Sequence, residues 1–377
     1  MGKRQRSEEE EEEPQHLLRT GRRGRLHLIV RDYKRGCTVY KLDVDGFRPD
    51  KDDHDLDSRA RSLPAHRAAI RLASPDGQPC DWIVCTGSKI LAFYRGHGTM
   101  VYDSETSTVG IGSPLLAKPR VTNPGRQRDV VVEYSSTAHY EFLDLGHDIY
   151  AFNTSGDRIS GRFSPSMEIL GPAPRSTNEE WRWQPLPPPP FKRPLHISSS
   201  AMHPDGSAFF LSSSDNGTFS FDTGRLAWAR LGKWLLPFSG KAYFVRELDA
   251  WVGLSSDQLG YIAVCQVISP DDTGPPACTT VRERVYSNLS QRYRPASLTY
   301  MGNAEFCLLE TVTREGYKRY STYDDHPKML LRLATFRVER QRNRELRAVN
   351  MRTRVYKWPH WEEDRPPIAF WIGQEDD

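Results

Sequence analysis

The sequence predicts an all-β protein built as a single kelch-like β-propeller, most consistent with six blades and with seven as the alternative. Short runs rich in Val, Ile, Tyr, Phe and Thr recur along the chain, and turn residues separate them. The 27 Gly and 27 Pro residues supply many of these turns. A local pattern also repeats, at intervals of 60, 50, 69, 45 and 71 residues, and periods near 50 are typical of kelch-type propellers.

The repeated pattern is an alternating apolar strand that ends in Asp or Asn and a small polar residue, with weaker copies that lack the acid. The span from Leu26 to Trp358 gives about 55 residues per blade when divided by six and about 48 when divided by seven, against a kelch period near 50. Six copies favour six blades. The copies end at or near Asp43, Asp103, Asn153, Asp222, Val267 and Val338.

The domain boundaries follow from composition. Residues 1–24 include six consecutive glutamates, which repel one another, so we expect a disordered and charged N-terminal tail. Residues 25–358 are predicted to form the propeller. Its first strands, within 26–44, are expected to close the ring by pairing with the last blade. Residues 359–377, which end in an acidic stretch, are predicted to be a C-terminal tail.

The predicted strands follow one another in order, each bounded by turn residues. The first half of the chain contains LHLIVRD, CTVYKLDVD, DWIVCTG, KILAFYRG, GTMVYDSET, AHYEFLDLG, DIYAFNTSG and WRWQPL. The second half contains three strands and a return in ISSSAMHPDGSAFFLSSSDNGTFSFDTGRLAWARL, then KAYFVRELDAWVGL, LGYIAVCQVIS, ASLTYMG, EFCLLETV, MLLRLATFRVER and LRAVNMRTRVYKW.

One blade shows how these elements connect. The Asp-Gly pair in HPDGS supplies the positive φ angles that a tight hairpin turn needs. Asp222 is predicted to accept backbone hydrogen bonds in a turn, and Asp103 has the same place in its own copy of the pattern. The chain then returns as an outer strand that carries Trp228 between neighbouring blades. Trp251 is expected to fill the core or a blade interface, because a buried aromatic covers about 150 to 250 Å².

Composition and charge argue against several classes of protein. The chain carries 52 basic and 49 acidic residues, a net charge of +3, and its Arg residues are spread out, which argues against nucleic-acid binding. It has neither a secretory signal nor a run of about 18 apolar residues, so we expect no membrane association and a cytoplasmic or nuclear location, or both. Cys85, Cys265 and Cys307 lie in apolar runs and are interpreted as free buried thiols in a reducing compartment.

Two basic clusters flank the glutamate run. They match a two-part nuclear import signal, and a solvated tail is the simpler interpretation. The clusters contain Lys3, Arg4, Arg6, Arg22, Arg23 and Arg25.

A family resemblance is carried by three segments: GSKILAFYRGHGTMVYDSETSTVGIGSPLLAKP, WRWQPLPPPPF and HPDGSAFFLSSSDNGTFSFDTGRLAWARLGKWLLPFSGKAYFVRELDAWVGL. They resemble kelch-like proteins of plants, a family that is much expanded in grasses and has no assigned function. The resemblance covers most of residues 25–358, and its most specific part is the run from Gly217 to Leu254. It implies a propeller fold and no known catalytic residue. The chain shows no F-box segment, which argues against a ubiquitin-ligase receptor acting alone.

Candidate ligand sites compete with simpler interpretations. Asp52, His54 and Asp55 could hold a cation, but DKDDHDLD lacks the Gly and Glu of a calcium loop and is interpreted as a solvated loop. His326 in YDDHPK is interpreted in the same way. His97 lies between glycines and is interpreted as a turn residue, because a histidine without a positioned partner is a weak catalytic signal.

The segment PLPPPPFKR predicts a polyproline II stretch. It could dock into an aromatic groove of a partner, and the simpler interpretation is a stiff connector between two blades. The sequence has no phosphate loop, dinucleotide fingerprint or nucleophile elbow.

The sequence therefore predicts a non-enzymatic propeller that binds another protein through its loops, because binding usually resides in loops on a rigid scaffold. We expect a monomer with no catalytic residue, no metal and no cofactor. The alternative is an enzyme with a site in the central channel, a hydrolase or an oxidase acting on a sugar or small metabolite. Two carboxylates, or His with Tyr and Cys, meeting at the channel mouth would favour that alternative.

Overall fold

The computed structural model confirms the all-β class. Within the described residues the helices are Leu56–Arg59 (α1) and a single 3-10 turn at Arg246–Leu248. No helix in this part of the chain has the length and apolar character needed to cross a bilayer. The structure describes residues 24–32, 36–49, 56–63, 68–73, 82–94, 98–113, 140–145, 148–153, 165–171, 181–191, 196–287, 296–313, 329–358 and 367–373.

The described strands divide into six groups of four antiparallel strands, which we number as blades 1 to 6; a parallel pair of inner strands joins blades 4 and 5 into one eight-stranded sheet. Blade 1 consists of β1 (Gly24–Asp32), β2 (Gly36–Leu42), β4 (Ala68–Leu72) and β25 (Ile368–Gly373). Blade 2 consists of β5 (Trp82–Thr86), β6 (Lys89–Tyr94), β7 (Gly98–Asp103) and β8 (Thr108–Gly112). Blade 3 consists of β9 (Tyr140–Leu145), β10 (Asp148–Asn153), β11 (Ser166–Leu170) and β12 (Trp183–Leu186). Blade 4 consists of β13 (Ile197–Met202), β14 (Ala208–Ser213), β15 (Gly217–Asp222) and β16 (Ala227–Gly232). Blade 5 consists of β17 (Gly240–Val245), β18 (Ala250–Leu254), β19 (Ile262–Gln266) and β20 (Cys278–Thr280). Blade 6 consists of β21 (Ser297–Tyr300), β22 (Glu305–Thr313), β23 (Met329–Arg340) and β24 (Leu346–Trp358), with β3 (Arg48–Pro49) at its outer edge.

Hydrophobic clusters join these groups into a ring. Five clusters each take their buried side chains mainly from two consecutive blades, from blades 1 and 2 through to blades 5 and 6. A further cluster joins blade 6 to blade 1, for example Leu331 of β23 with Leu28 of β1. Every sheet is therefore covered by its neighbours, as a propeller requires. The blade number of the whole chain stays a prediction, and the six groups of described strands fit it.

The same turn joins the third and fourth strands in blades 2 and 4. In blade 4 the Asp222 carboxylate accepts hydrogen bonds from the backbone N–H groups of Gly224, at 3.0 Å, and Arg225, at 2.7 Å. In blade 2 the Asp103 carboxylate accepts two equivalent bonds, at 3.0 and 3.4 Å. The fourth residue after each aspartate has a positive φ, 52° at Leu226 and 56° in blade 2. The aspartate side chain thus stabilises the reversal that brings the outer strand back along its neighbour.

The C-terminal strand corrects a predicted domain boundary. The prediction of a tail at residues 359–377 is wrong for Ile368–Gly373, which pair antiparallel with β1 as the innermost strand of blade 1. The apolar sequence IAFWIG suits a strand that packs on both faces. Thr299 of blade 6 donates from Oγ1 to the Ala369 carbonyl at 2.9 Å. The first and last described strands close the ring within blade 1, whereas the sequence suggested that the first strands join the last blade.

A buried histidine lies at this closure. The ring of His27 in β1 stacks on Phe370 of β25, with 5.0 Å between their centroids. Its Nδ1 donates to the Arg25 carbonyl at 3.1 Å. Burial lowers the pKa of His27 to about 4, so the ring is neutral at pH 7 and packs without a buried charge. Arg25, which the sequence assigned to a basic import cluster, lies in a paired strand opposite Ile372.

Cys265 is not the free thiol that the sequence suggests. It faces Cys278 across the β19–β20 pair, and the two sulfurs form a disulfide. Cys85 and Cys307 are free, and burial raises the pKa of both thiols, that of Cys307 to about 12. The sequence conceals the disulfide because a polar, proline-rich loop separates its two cysteines, and spacing alone does not place their strands side by side.

Candidate functional site

The residues singled out from the sequence occupy separate places in the scaffold. Asp103 and Asp222 hold the turns of blades 2 and 4. Trp228 lies half-buried between blades 3 and 4, where its Nε1 donates to the Pro187 carbonyl of the proline-rich connector at 3.1 Å. Trp251 is fully buried between blades 4 and 5, and its Nε1 donates to a backbone carbonyl of blade 4 at 2.8 Å. The two aspartates stabilise turns and the two tryptophans pack between blades, and the four side chains do not meet in a common site.

Other sequence candidates lie outside the described residues. Within the described ranges, no group of three or more His, Cys, Asp or Glu side chains is placed to hold a metal ion. The candidates outside these ranges are Lys3, Arg4, Arg6, Arg22, Arg23, Asp52, His54, Asp55, His97 and His326.

The inner strands of the blades define a central channel. β25, β5, β9, β13, β17 and β21 lie at the inner ends of their four-stranded groups. Contacts join them in turn from β5 through to β25, and β13 pairs in parallel with β17. Side chains on these strands can therefore meet across the ring, although they belong to blades that are distant in sequence.

Four polar side chains meet at the channel, and we call them the channel cluster: Thr86, Asp144, Lys241 and Tyr243. Lys241 Nζ lies 2.9 Å from Asp144 Oδ2, and Thr86 Oγ1 donates to Asp144 Oδ1 at 3.0 Å. Because blade 4 lies between blades 3 and 5 in the ring, the Lys241–Asp144 contact crosses the channel. Lys241 Nζ also lies 5.0 Å from the centre of the Tyr243 ring, whose hydroxyl donates to a backbone carbonyl of blade 6 at 2.9 Å.

The electrostatics of the channel cluster fix its protonation. Burial, the largest single influence, would lower the pKa of Lys241, but the charge and hydrogen bond of Asp144 together with Tyr243 outweigh it and raise the pKa, so the ammonium keeps its proton. Burial raises the pKa of the Tyr243 phenol. The nearby Cys85 thiol has a raised pKa because of burial and, second, because of the Asp144 charge. The cluster is thus a charged pair beside a neutral phenol and a neutral thiol, which are poor nucleophiles at neutral pH.

Sequence reasoning missed the channel cluster. Asp144 and Lys241 are 97 residues apart, in strands of blades 3 and 5. Lys241 is the one charge of its strand, and Asp144 shares its strand with Glu141 and with apolar residues. No motif joins them, because only the closure of the ring brings their strands together.

A second feature is a pair of exposed leucines on two adjacent loops. We call it the paired-leucine surface: Leu235 with its loop 233–239, and Leu259 with its loop 255–261. The side chains are 39% and 62% exposed, respectively. The Ser256 N–H group donates to a carbonyl of loop 233–239 at 3.1 Å, so the two loops are fixed to each other. Sequence reasoning did not single out these leucines, because apolar residues near strands are usually core residues.

Internal hydrogen bonds hold the loop that carries Leu259. Ser255 donates its N–H to the Tyr261 carbonyl at 2.9 Å, and the Ser255 hydroxyl accepts from the Gln258 N–H at 3.1 Å. Gly260 has a φ of 89°, a left-handed conformation that glycine adopts without strain. Its carbonyl accepts from the Val285 N–H at 2.8 Å. The turn therefore displays Leu259 from a well-fixed backbone.

The loop that carries Leu235 is anchored in blade 4. Leu236 and Phe238 are buried in the interface between blades 4 and 5. The Leu236 N–H donates to the Ser212 hydroxyl at 2.9 Å, and the Thr218 hydroxyl donates to the Trp234 carbonyl at 2.6 Å. Leu235 thus projects from a segment whose neighbours on both sides are fixed.

Solved structures resemble this chain at low identity. A protein of unknown function from Bacteroides thetaiotaomicron is 10% identical with a TM-score of 0.36, over 82% of this chain and 62% of that one, so this chain spans less than two thirds of it. The β-propeller domain of Cps50 (Swd1) from Myceliophteria thermophila is 10% identical with a TM-score of 0.38, over 86% and 82%. AztD from Citrobacter koseri is 10% identical with a TM-score of 0.37, over 93% and 98%. The propeller assignment rests on the strand order and the clusters of this chain itself.

Sequence comparison places the chain more firmly. No curated protein matches it. A family model described as a protein of unknown function, DUF1668, matches residues 23–356. This range includes every described strand except β25 and the last two residues of β24. The chain belongs to the DUF1668 family of proteins of unknown function.

Proposed function

We propose that this propeller is a non-enzymatic module that binds another protein through the paired-leucine surface. One observation carries the proposal. Leu235 and Leu259 project into solvent from two hydrogen-bonded loops that are fixed to each other at one end of neighbouring blades. Apolar side chains held in this way form a ready contact for an apolar segment of a partner.

The energetics of such a surface favour binding. Apolar area that leaves water stabilises an association by about 25 cal/mol per Å². Loops that are already ordered lose little conformational entropy when they bind. The exposed charges of Lys233 and Asp257 lie near the two leucines in sequence, one of each sign. We therefore expect a partner segment with an apolar centre and a polar rim that carries both charges.

The channel cluster supports the non-enzymatic part of the proposal. Each Asp144 oxygen accepts a hydrogen bond, one from Thr86 and one from Lys241. A general base needs a carboxylate that can reach a substrate proton, and a lysine nucleophile needs a lowered pKa. Here Thr86 and Lys241 engage both oxygens of the carboxylate, and the pKa of Lys241 is raised, so neither requirement is met. The same hydrogen bonds tie blades 2, 3 and 5 together.

The paired leucines provide the test. The double variant Leu235→Asp with Leu259→Asp is expected to weaken partner binding about tenfold or more, because truncated or charged contacts at a buried interface centre typically cost about 2 kcal/mol. The matched control is Leu226→Asp. Leu226 is also an exposed leucine, at 44%, but it lies in the β15–β16 turn, and Asp tolerates its positive φ.

The measurement is quantitative affinity purification from native tissue with mass spectrometry, followed by titration of the recovered protein. The proposal predicts a protein that the native chain and the Leu226→Asp control recover and the double variant loses. Equal recovery by all three chains would contradict it, provided that the double variant unfolds at the same denaturant concentration as the native chain.

A further inference from the structure

The disulfide of blade 5 joins a buried sulfur to an accessible residue. Cys265 is fully buried in the cluster between blades 4 and 5, whereas Cys278 is exposed on the outer strand β20. The two residues are direct partners in the β19–β20 register. A reductant in solution can therefore reach the bond only from the Cys278 side.

The disulfide closes a loop, residues 266–277, that reaches back to blade 4. The Ser220 hydroxyl of β15 donates to the Pro270 carbonyl at 3.0 Å. The Nε1 group of Trp234 donates to the Thr273 carbonyl at 2.9 Å. We call this segment the clasp loop. It is tied to blade 5 by the disulfide and to blade 4 by these two hydrogen bonds.

The clasp loop is hydrogen-bonded to the loop that carries Leu235. Trp234 precedes Leu235, so the residue that the clasp loop holds is the neighbour of an exposed leucine. Gly232 makes this contact possible, because a Cβ there would lie 2.5 Å from the Trp234 ring. A shift of the clasp loop would therefore free the Trp234 ring and change how Leu235 is presented.

We propose that Cys265 and Cys278 form a redox site, and that a dithiol reductant opens it and releases the clasp loop from blade 4. The consequence for partner binding rests on the proposed function of the paired-leucine surface, whereas the redox site does not. A disulfide with one exposed cysteine fits this role, because exposed disulfides are the labile and regulatory ones.

The chemistry balances with the reductant alone. A thiolate of the dithiol attacks the Cys278 sulfur, forms a mixed disulfide there and expels the Cys265 sulfur as a thiolate, which takes up a proton. The second thiolate of the same reductant molecule then attacks the reductant sulfur that is bound to Cys278, and this step expels the Cys278 thiolate. The protein disulfide gains two electrons, and the dithiol is oxidised to a cyclic disulfide. With a monothiol such as glutathione, the adduct is expected on Cys278 and not on Cys265.

The first experiment measures the redox site without any partner. Cysteines of the full chain are alkylated under denaturing conditions, before and after treatment with dithiothreitol, and mapped by mass spectrometry. We expect label on Cys265 and Cys278 only after reduction. Label on both residues in untreated protein, or a glutathione adduct on Cys265, would overturn the site.

Hydrogen exchange then tests the clasp. Reduction is expected to speed amide exchange in residues 266–277 and 233–238 about tenfold, because the cross-link no longer restricts the loop. The variant Cys278→Ser, which cannot form the disulfide, should show the faster exchange of the reduced protein both with and without reductant. The matched control Cys307→Ala removes a free thiol from blade 6 and should keep the native response to reductant. Unchanged exchange in both segments after complete reduction would overturn the clasp.

The effect of reduction on partner binding is measured in a separate experiment. Affinity for the protein that the leucine test recovers is expected to fall about tenfold, or 1.4 kcal/mol, on reduction and in Cys278→Ser. Reduction could alter exchange and leave partner binding unchanged, while the leucine double variant still loses partner binding. That result would overturn the link between the disulfide and binding, and the proposed function would stand. If the leucine variant keeps full binding, the proposed function fails, and the redox site is still decided by labelling and exchange.

Discussion

Replacing Arg332 with Met is expected to lower the free energy of unfolding by about 3 to 5 kcal/mol, because it strands a buried carboxylate without its cation. Arg332 and Glu310 face each other across β22 and β23 and are only 1% and 2% exposed, with 2.6 Å between Nη1 and Oε2. The same Nη1 donates to the Val285 carbonyl at 3.1 Å, and both Glu310 oxygens accept from the Ser287 N–H at 3.2 Å. The pair therefore also fixes the segment that joins blades 5 and 6.

A second variant separates charge from packing. Adding Glu310→Gln to Arg332→Met removes the stranded charge, and the amide oxygen can still accept from the Ser287 N–H. We expect the double variant to recover about 2 kcal/mol or more of the loss. The measurement is urea unfolding followed by far-ultraviolet circular dichroism. Additive losses from the two substitutions would show that the buried ion pair is not what stabilises this junction.

Replacing Trp251 with Ala is expected to lower the free energy of unfolding by about 3 to 5 kcal/mol, because it leaves a large cavity between blades 4 and 5. Trp251 is fully buried, and its ring lies edge-on to Phe210 with 5.1 Å between centroids. Its Nε1 donates to the Met202 carbonyl at 2.8 Å. The side chain thus joins β18 of blade 5 to β13 and β14 of blade 4.

The control for this prediction is Trp251→Phe, which keeps a ring against Phe210 and gives up the hydrogen bond. It should retain most of the stability that the alanine variant loses, again by urea unfolding. A loss for Trp251→Ala below about 0.5 kcal/mol, the range of surface substitutions, would mean that the blade interface does not depend on this aromatic.

Local chemistry is the part of the fold that the sequence specifies well. The strand composition and the turns at Asp103 and Asp222 depend on residues within four positions of one another, so single segments reveal them. The strand Ile368–Gly373 escapes this reasoning, because its partner is β1 at the other end of the chain. The disulfide of Cys265 escapes it as well, since only the pairing of β19 with β20 brings its partner close.

The candidate site was harder to predict than the fold. Asp144 and Lys241 are brought together by ring closure, and neither lies in a motif. Leu235 and Leu259 lie in loops between apolar strands, where a sequence pattern cannot distinguish an exposed leucine from a core one. Their exposure depends on which way the loop backbone turns, and hydrogen bonds to other segments determine that direction.

The central claim is that β1 and β25 pair to close the ring inside blade 1, and a designed disulfide tests it most directly. Arg25 of β1 is exposed and pairs with Ile372 of β25. The variant Arg25→Cys with Ile372→Cys should form a cross-link on mild oxidation, detected by peptide mapping, because paired strands bring Cα atoms within about 7 Å. In the control Arg25→Cys with Ile368→Cys, the second cysteine is about 13 Å away along the strand and should not link. Absence of the first link in a folded protein, or equal linking in both variants, would contradict the closed ring.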